Sequence, residues 1–296
     1  MRKNLSKGII LALLSSLSGS YLFIFSKKAL FTTSPFLFCT YYYFFSSILF
    51  SIYFLLTGKV KTFIRESKKN LKIFLTIGTI EFLSILSLFW AVKLTDPTVV
   101  SFFNNTQTLF IILWGCLFLK EKFNRLEFLG AITVICGVIT ITYRAGNPTL
   151  FATFLTLTSA LLFSITVIII KKFSTSIDPE SFAYFRSLFI FIISIILLFG
   201  MFNTKITDFS KLKYIFLGSF FGPFLNILFY FKSLKFIEAS KTSLLRSSLP
   251  IFVLFNSILI LKMHPTPREI LGGVIVIMGL VILVSGYERV KRVKYK

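Results

Sequence analysis

The sequence predicts an all-α membrane protein: ten transmembrane helices in two inverted five-helix repeats, with both termini on the cytoplasmic side (N-in and C-in). Three observations carry that expectation. Of the 296 residues 55% are hydrophobic, with 39 Phe, which is too apolar for a soluble domain. The apolar residues form ten stretches, each near the roughly 20 residues that cross about 30 Å of hydrocarbon. The pattern also occurs twice: Leu94–Val138 lies over Phe236–Leu280 at a shift of 142 residues, with no gap.

The spans are expected at Gly8–Ser26, Phe36–Leu56, Leu71–Val92, Val99–Phe118, Leu126–Tyr143, Leu150–Ile170, Phe182–Gly200, Leu212–Leu234, Thr242–Leu261 and Ile270–Ser285. The last is short, which leaves room for an earlier start. Each must be helical, because backbone polar groups find no water in lipid and have to bond within the segment. Met1–Ser20 has the basic start and apolar run of a signal peptide. Its repeat partner Leu150–Ile170 lies mid-chain, where no signal peptide sits, so the first helix is read as retained.

Within the duplication Lys93 falls on Lys235, Glu127 on Glu269, Leu129 on Leu271, Gly130 on Gly272 and Gly137 on Gly279. Earlier in each half the shift is 144, which puts Lys27-Lys28 on Lys171-Lys172 and Ser34-Pro35 on Asp178-Pro179. Five spans per half is an odd number, so the second copy enters the bilayer from the opposite side. Inverted repeats place a binding site near the midplane and let one half rock against the other. The halves meet at the turn-rich Arg144–Pro148, dividing the chain into residues 1–147 and 148–296.

A formal net charge of +22 would suit nucleic acid if it sat on a recognition module, and it does not. With the N-terminus inside and span-edge residues counted with their loops, cytoplasmic segments hold 22 of the 33 Lys and Arg and outer loops hold 9. Arg186 and Arg246 are the two left within spans. This is the positive-inside asymmetry that sets the orientation. The tail Arg289–Lys296 and the cluster Lys59–Lys72 are expected on anionic headgroups. Loops are short; Thr57–Asn70 and Asn203–Lys211 are the longest on their sides.

Glycines seven apart, Gly130 with Gly137 and Gly272 with Gly279, return to one helix face and are read as close-packing positions. The eighth span carries Gly222-Pro223 near its middle. Proline there gives either a kink or a break that bares carbonyls to a cavity. Cys39, Cys116 and Cys136 share no metal-like spacing and are read as small packing residues without a disulfide.

The candidate site residues are Glu81, Asn104, Asn105, Asn226 and Arg246. Glu81 stands about ten residues into the third span, roughly 15 Å deep at 1.5 Å per residue. A carboxylate there must face a cavity, pair with a cation or be protonated. Its repeat mate is Pro223. Asn104, Asn105 and Thr108 share a side of the fourth span with Ser101 a turn earlier; their mates are Arg246, Ser247 and Pro250, with Ser243 preceding. Arg246 keeps its charge, and either snorkels to headgroups or faces the same cavity. Arg186, whose mate is Tyr42, is favoured as an anchor. Asn226 and the stripe Ser15, Ser16, Ser20 are candidates to complete a polar lining, or simple interhelical bonds. Lys93 and Lys235 sit at span ends, where lysines snorkel. His264 falls in a loop beside two prolines. No phosphate loop, Ser/His/Asp set or HExxH helix is present, so no catalytic group and no cofactor or metal is expected.

The stretch Ala91–Val138 and its copy resemble the drug/metabolite transporter superfamily, specifically its ten-helix EamA-type group. The pattern reads Leu119-Lys120-Glu121, Leu129-Gly130 and Gly137-Val138 in the first half, and Leu271-Gly272 and Gly279-Leu280 in the second. Met263 replaces the acid matching Glu121. Arg186 after Asp178-Pro179 fits the arginine common early in a repeat's second helix, and Tyr42 departs from it. The resemblance implies a secondary transporter working by alternating access, with a central cavity lined chiefly by spans 1, 3, 4, 6, 8 and 9. An acid and a guanidinium together suit an amino-acid-like or charged nucleoside-like metabolite, with proton or exchange coupling. The alternative is a flippase for a lipid-linked substrate on the same fold. Expected partners are a small-molecule substrate and anionic bilayer headgroups in the cell (inner or plasma) membrane; a homodimer stays open, and nucleic acid is excluded.

Overall fold

The computed structural model describes residues 2–30, 34–94, Val100, 103–122, 124–142, 150–201, 212–261 and 267–293. Every regular element among them is helical. In chain order these are α1 (Arg2–Leu30), α2 (Pro35–Leu56), α3 (Val60–Lys69), α4 (Leu71–Leu94), α5 (Thr106–Leu119), α6 (Arg125–Thr142), α7 (Leu150–Phe173) and α8 (Pro179–Met201). Then follow α9 (Leu212–Ser219), a π-helical segment (Phe220–Asn226), α10 (Ile227–Leu234), α11 (Ala239–Arg246), α12 (Leu249–Leu261) and α13 (Pro267–Val293). The link Arg144–Pro148, the loop Asn203–Lys211, Ser101, Met263 and His264 lie outside the described residues.

Among the described residues six helical stretches are long and apolar enough to cross a membrane: Asn4–Ser26, Pro35–Leu56, Leu71–Leu94, Leu150–Phe173, Pro179–Leu198 and Leu212–Leu234. Thr106–Leu119 and Ile270–Gly286 are shorter apolar helices. The expected ninth span is not one helix but two, for a reason given below.

Local chemistry sets the ends. Ser34 caps α2, its hydroxyl accepting from the Leu37 N–H at 3.2 Å, with Pro35 in the first turn where no donor is needed. Gly58 follows α2 at φ 65°, the left-handed conformation that stops a helix cheaply only at glycine. Asn124 and Glu127 cap α6 reciprocally, each accepting the other's backbone N–H at 2.8 Å. The basic connection Thr57–Asn70 folds as α3, whose Phe63 ring packs 4.4 Å from that of Tyr184 while Glu66 accepts from the Ser181 hydroxyl.

The packing exchanges partners between the halves. Helix α1 packs on α9, the π segment and α10, and its counterpart α7 packs on α4. Likewise α1 contacts α12 while α7 contacts α5, and α2 meets its own counterpart α8. The tightest pair is α6 with α13. There a Cβ on Gly130 would lie 2.6 Å from the Leu283 nitrogen, and one on Gly279 2.6 Å from the Val134 nitrogen. The repeated glycines let these two backbones touch, as the sequence predicted. The cysteines split: Cys39 is buried, but Cys116 and Cys136 are exposed rather than packed, and all three are free. Their helices turn that face away from the bundle, where a small polarizable side chain costs nothing.

Candidate functional site

The helical ladder is interrupted at repeat-related places. Asn105 precedes α5 with ψ −16°, and the Thr108 N–H bonds three residues back to the Asn105 carbonyl at 3.0 Å. Its mate Ser247, at ψ −4°, separates α11 from α12 in the ninth span, where the Ser248 N–H reaches back three residues to the Leu245 carbonyl at 3.2 Å. Pro250 explains the second interruption, because it has no N–H to offer the preceding turn. Tight turns of this 3₁₀ kind within a helix mark hinges. The two lie against each other: the Thr108 hydroxyl is 3.1 Å from that of Ser247 and accepts from that of Ser243 at 3.0 Å.

Arg246 ends α11 at the second interruption and turns inward, 8% exposed. It does not snorkel. Its Nε donates to the Ser15 hydroxyl at 3.0 Å and its Nη2 to Asn226 Oδ1 at 3.2 Å. Ser15 in turn donates to Asn226 Oδ1 at 2.7 Å. The guanidinium carbon stands 3.9 Å from the centre of the Tyr230 ring, a cation–π contact in a water-poor setting. Ser16 donates to the Arg246 carbonyl at 3.2 Å, satisfying an acceptor that the interrupted helix leaves over. Asn226 owes its position to the π segment: Pro223 withholds an N–H, the ladder widens by one residue, and the helix continues. Between the two readings open for Gly222-Pro223, the chain takes neither a clean break nor a simple kink.

Glu81 is fully buried and forms an ion pair with Arg186, Nε to Oε2 2.8 Å. Arg186 Nη2 also donates to the Tyr43 hydroxyl at 2.9 Å. Arg186 is therefore not an interfacial anchor: at 2% exposure it is held in the interior by Glu81. Glu81 lies within electrostatic reach of Arg246 without touching it. Asn104 and Asn105 are partly buried at the first interruption. The structure thus brings Asn226 and Arg246 together, ties Glu81 to Arg186 nearby, and keeps the two asparagines at the companion turn.

Repeat mates meet repeat mates here. The bond from Ser15 to Asn226 is matched by that from Ser84 to the Ser159 carbonyl at 2.9 Å, since Ser159 pairs with Ser15 and Ser84 with Asn226. The bond from Asn256 to Ser20 at 2.6 Å is matched by that from Trp114 to Ser164 at 3.1 Å. The pair Glu81–Arg186 has as its mate the packing of Tyr42 on Gly222, beside Pro223, where any Cβ would collide with the Tyr42 ring. Positions that depart from the repeat therefore compensate one another across one contact.

One set of polar clusters went unread in the sequence. Glu180 binds Lys232 at 2.6 Å and Lys59 at 2.8 Å and accepts from the Tyr53 hydroxyl at 2.9 Å. Lys241 binds Glu127 at 2.9 Å and also Glu238, while Glu121 accepts the N–H groups of Ala239 and Ser240 at 2.8 and 3.0 Å, capping α11. Burial opposes the charge of Lys59, but its bonds to Glu180 and Asp178 outweigh that and hold its pKa above the usual lysine value. The mates of Glu180 and Lys232 are Phe36 and Trp90, whose rings pack edge to face 6.3 Å apart. One end of the repeat contact is held by ion pairs and the other by aromatic rings. Every charged member of these clusters is a loop or span-end residue, ordinary in composition, so only the packing reveals the pairing.

Apolar spanning helices, an exchanged packing between halves and a buried polar centre define a multi-pass membrane protein built from one repeat used twice. The chain belongs to the EamA-like transporter family, which it matches over residues 6–143 and again over 150–285. No curated protein matches it. A solved structure, described simply as a crystal structure of a protein, covers 95% of this chain and 97% of its own length at 15% identity, with a TM-score of 0.77. At that identity the likeness establishes the fold. The protein is thus a membrane transporter with a small-molecule substrate and a lipid surround.

Proposed function

We propose that the protein is a secondary transporter of a small polar metabolite that works by alternating access in the cell membrane. In this reading ten spans form two inverted repeats, residues 1–147 and 148–296, with both termini in the cytoplasm. The observation that carries it is the pair of repeat-related 3₁₀ turns at Asn105 and Ser247, brought together beside a buried polar centre. Interrupted helices at the repeat interface are how such proteins offer polar groups to a substrate inside the bilayer. Asn226 and Arg246 form the polar end of the site, and Asn104 and Asn105 line the companion turn. Glu81 contributes its charge from behind through Arg186. The ionic cluster at Glu180 and the rings of Phe36 and Trp90 then serve as seals for the two sides.

The test is metabolite profiling of cells with and without the protein, followed by uptake of the accumulated or depleted compound into proteoliposomes. Saturable uptake that requires the protein is expected. Profiles that do not differ, together with proteoliposomes that move none of the cell's metabolites saturably, would overturn the reading.

A further inference from the structure

Three basic residues are buried among the described residues: Arg186, Lys241 and Arg246. Arg186 has Glu81 as its carboxylate, and Lys241 has Glu127 and Glu238. Arg246 has none within ion-pair distance among the described residues. Its hydrogen bonds go to a serine hydroxyl and an amide oxygen, and its face rests on a tyrosine ring, so these partners are all neutral. An arginine in the interior cannot shed its proton. Removing such a charge from water costs several kcal/mol unless a counter-charge meets it. The nearest chemistry able to answer, Glu81, is already spent on Arg186. A second polar group stands beside it: the Tyr230 hydroxyl is buried next to Arg246 and Ser243, and among the described residues it makes no well-formed hydrogen bond.

We propose that the substrate carries a compact oxyanion, a carboxylate or a phosphate monoester, and that Arg246 binds it, with the Tyr230 hydroxyl as a second donor. The inference rests on the transport reading and narrows its substrate class. The guanidinium is a planar fork suited to two oxygens. Nε and Nη2 are held by Ser15 and Asn226, which fixes the fork and leaves Nη1 without a hydrogen bond among the described residues. The mate of Arg246 is the uncharged Asn104, so the charge is read from one half only. A neutral or cationic substrate would leave the cation unanswered; an oxyanion removes that penalty when it binds. Zwitterions qualify through their carboxylate, because Glu81 is not available as an equal partner for the ammonium.

The experiment uses the full-length protein purified in detergent and follows its thermal unfolding with benzoate, benzamide, benzylamine and inorganic phosphate. Benzoate or phosphate is expected to stabilise it, at half-saturating concentrations at least about tenfold below that of benzamide, as hydrogen bonds to a charged group imply. Arg246→Gln is expected to abolish that response, and Tyr230→Phe to weaken it. Should Arg246→Gln fail to fold, the preference of the wild type for benzoate over benzamide decides. Nanodiscs of phosphatidylglycerol and phosphatidylcholine separate a lipid phosphate from a soluble anion: stabilisation by the anionic lipid alone, lost in Arg246→Gln, keeps the oxyanion and assigns it to a headgroup. Equal stabilisation by benzamide, no response to any anion, or an undiminished response in Arg246→Gln overturns the proposal. Transport is scored separately. Proteoliposomes that move only neutral or cationic metabolites, equally well in Arg246→Gln, would sink the anion inference and leave the transport reading standing; anion binding without transport would do the reverse.

Discussion

Replacing Glu81 by Gln is expected to destabilise the protein through Arg186 rather than through Glu81 itself. The pair is closed to water, at 0% and 2% exposure, with 2.8 Å between Oε2 and Nε. At about 4 Å between charge centres and an effective dielectric near 20, the attraction is about 4 kcal/mol. Losing one member of a buried pair costs about 3–5 kcal/mol, because the survivor stays buried and charged. The amide oxygen of Gln keeps one hydrogen bond to Nε and recovers about 1 kcal/mol. The expected loss is therefore roughly 2–4 kcal/mol. Glu81 Oε1 and Arg186 Nη1 have no hydrogen-bond partners among the described residues, so the pair itself is incompletely satisfied there. Removing both charges in Glu81→Gln/Arg186→Gln should then cost less than the two single changes summed, by at least about 2 kcal/mol. Reversible unfolding in mixed micelles, run as a double-mutant cycle, reads both quantities. Single-variant losses below about 1 kcal/mol, or strict additivity, would refute the reasoning.

Gly279→Leu should separate α6 from α13 and lower the melting temperature sharply, since a Cβ there already meets backbone; Gly273→Ala, whose Cβ meets nothing, should change nothing. Glu121→Gln keeps one acceptor for the α11 N-terminus but loses its charge, and should cost about 0.5–2 kcal/mol by the same unfolding assay. Glu180→Gln should loosen the ionic seal, seen as faster labelling of Ser181→Cys by a membrane-impermeant thiol reagent in a background without the native cysteines. The contribution of Lys59 to that seal is present below the ordinary lysine value and fades only as pH rises through its raised pKa. Raising the pH to about 9 should therefore not release the Lys59 contact; accelerated labelling there, dependent on Lys59, would contradict the assignment.

The duplication was legible because close helix packing demands small residues at fixed spacing, and Gly130, Gly137, Gly272 and Gly279 record that demand directly. The polar residues of the centre were legible by type, since charges and amides are rare inside apolar spans. Their partners were not. Nothing along the chain says that Glu81 faces Arg186, 105 positions away, rather than Arg246. A signal was nevertheless present: Glu81 departs from Pro223 and Arg186 from Tyr42, and two departures at one repeat contact point to a compensating pair. Tyr230 was missed because one tyrosine among many aromatic residues looks like packing. Its place four residues after Asn226, on the same helical face, was the available clue. The π segment was out of reach, because whether Pro223 breaks, bends or widens a helix depends on what packs against it, here Tyr42 and Leu22 on Gly222.

The central claim is that the polar centre at the paired turns binds and carries a substrate by means of Arg246. Counterflow in proteoliposomes tests it most directly, using the metabolite that profiling identifies and comparing wild type, Arg246→Gln and the silent control Gly273→Ala. Saturable exchange in wild type and control, reduced at least about tenfold in Arg246→Gln, is the predicted result. Equal exchange by all three proteins would contradict it.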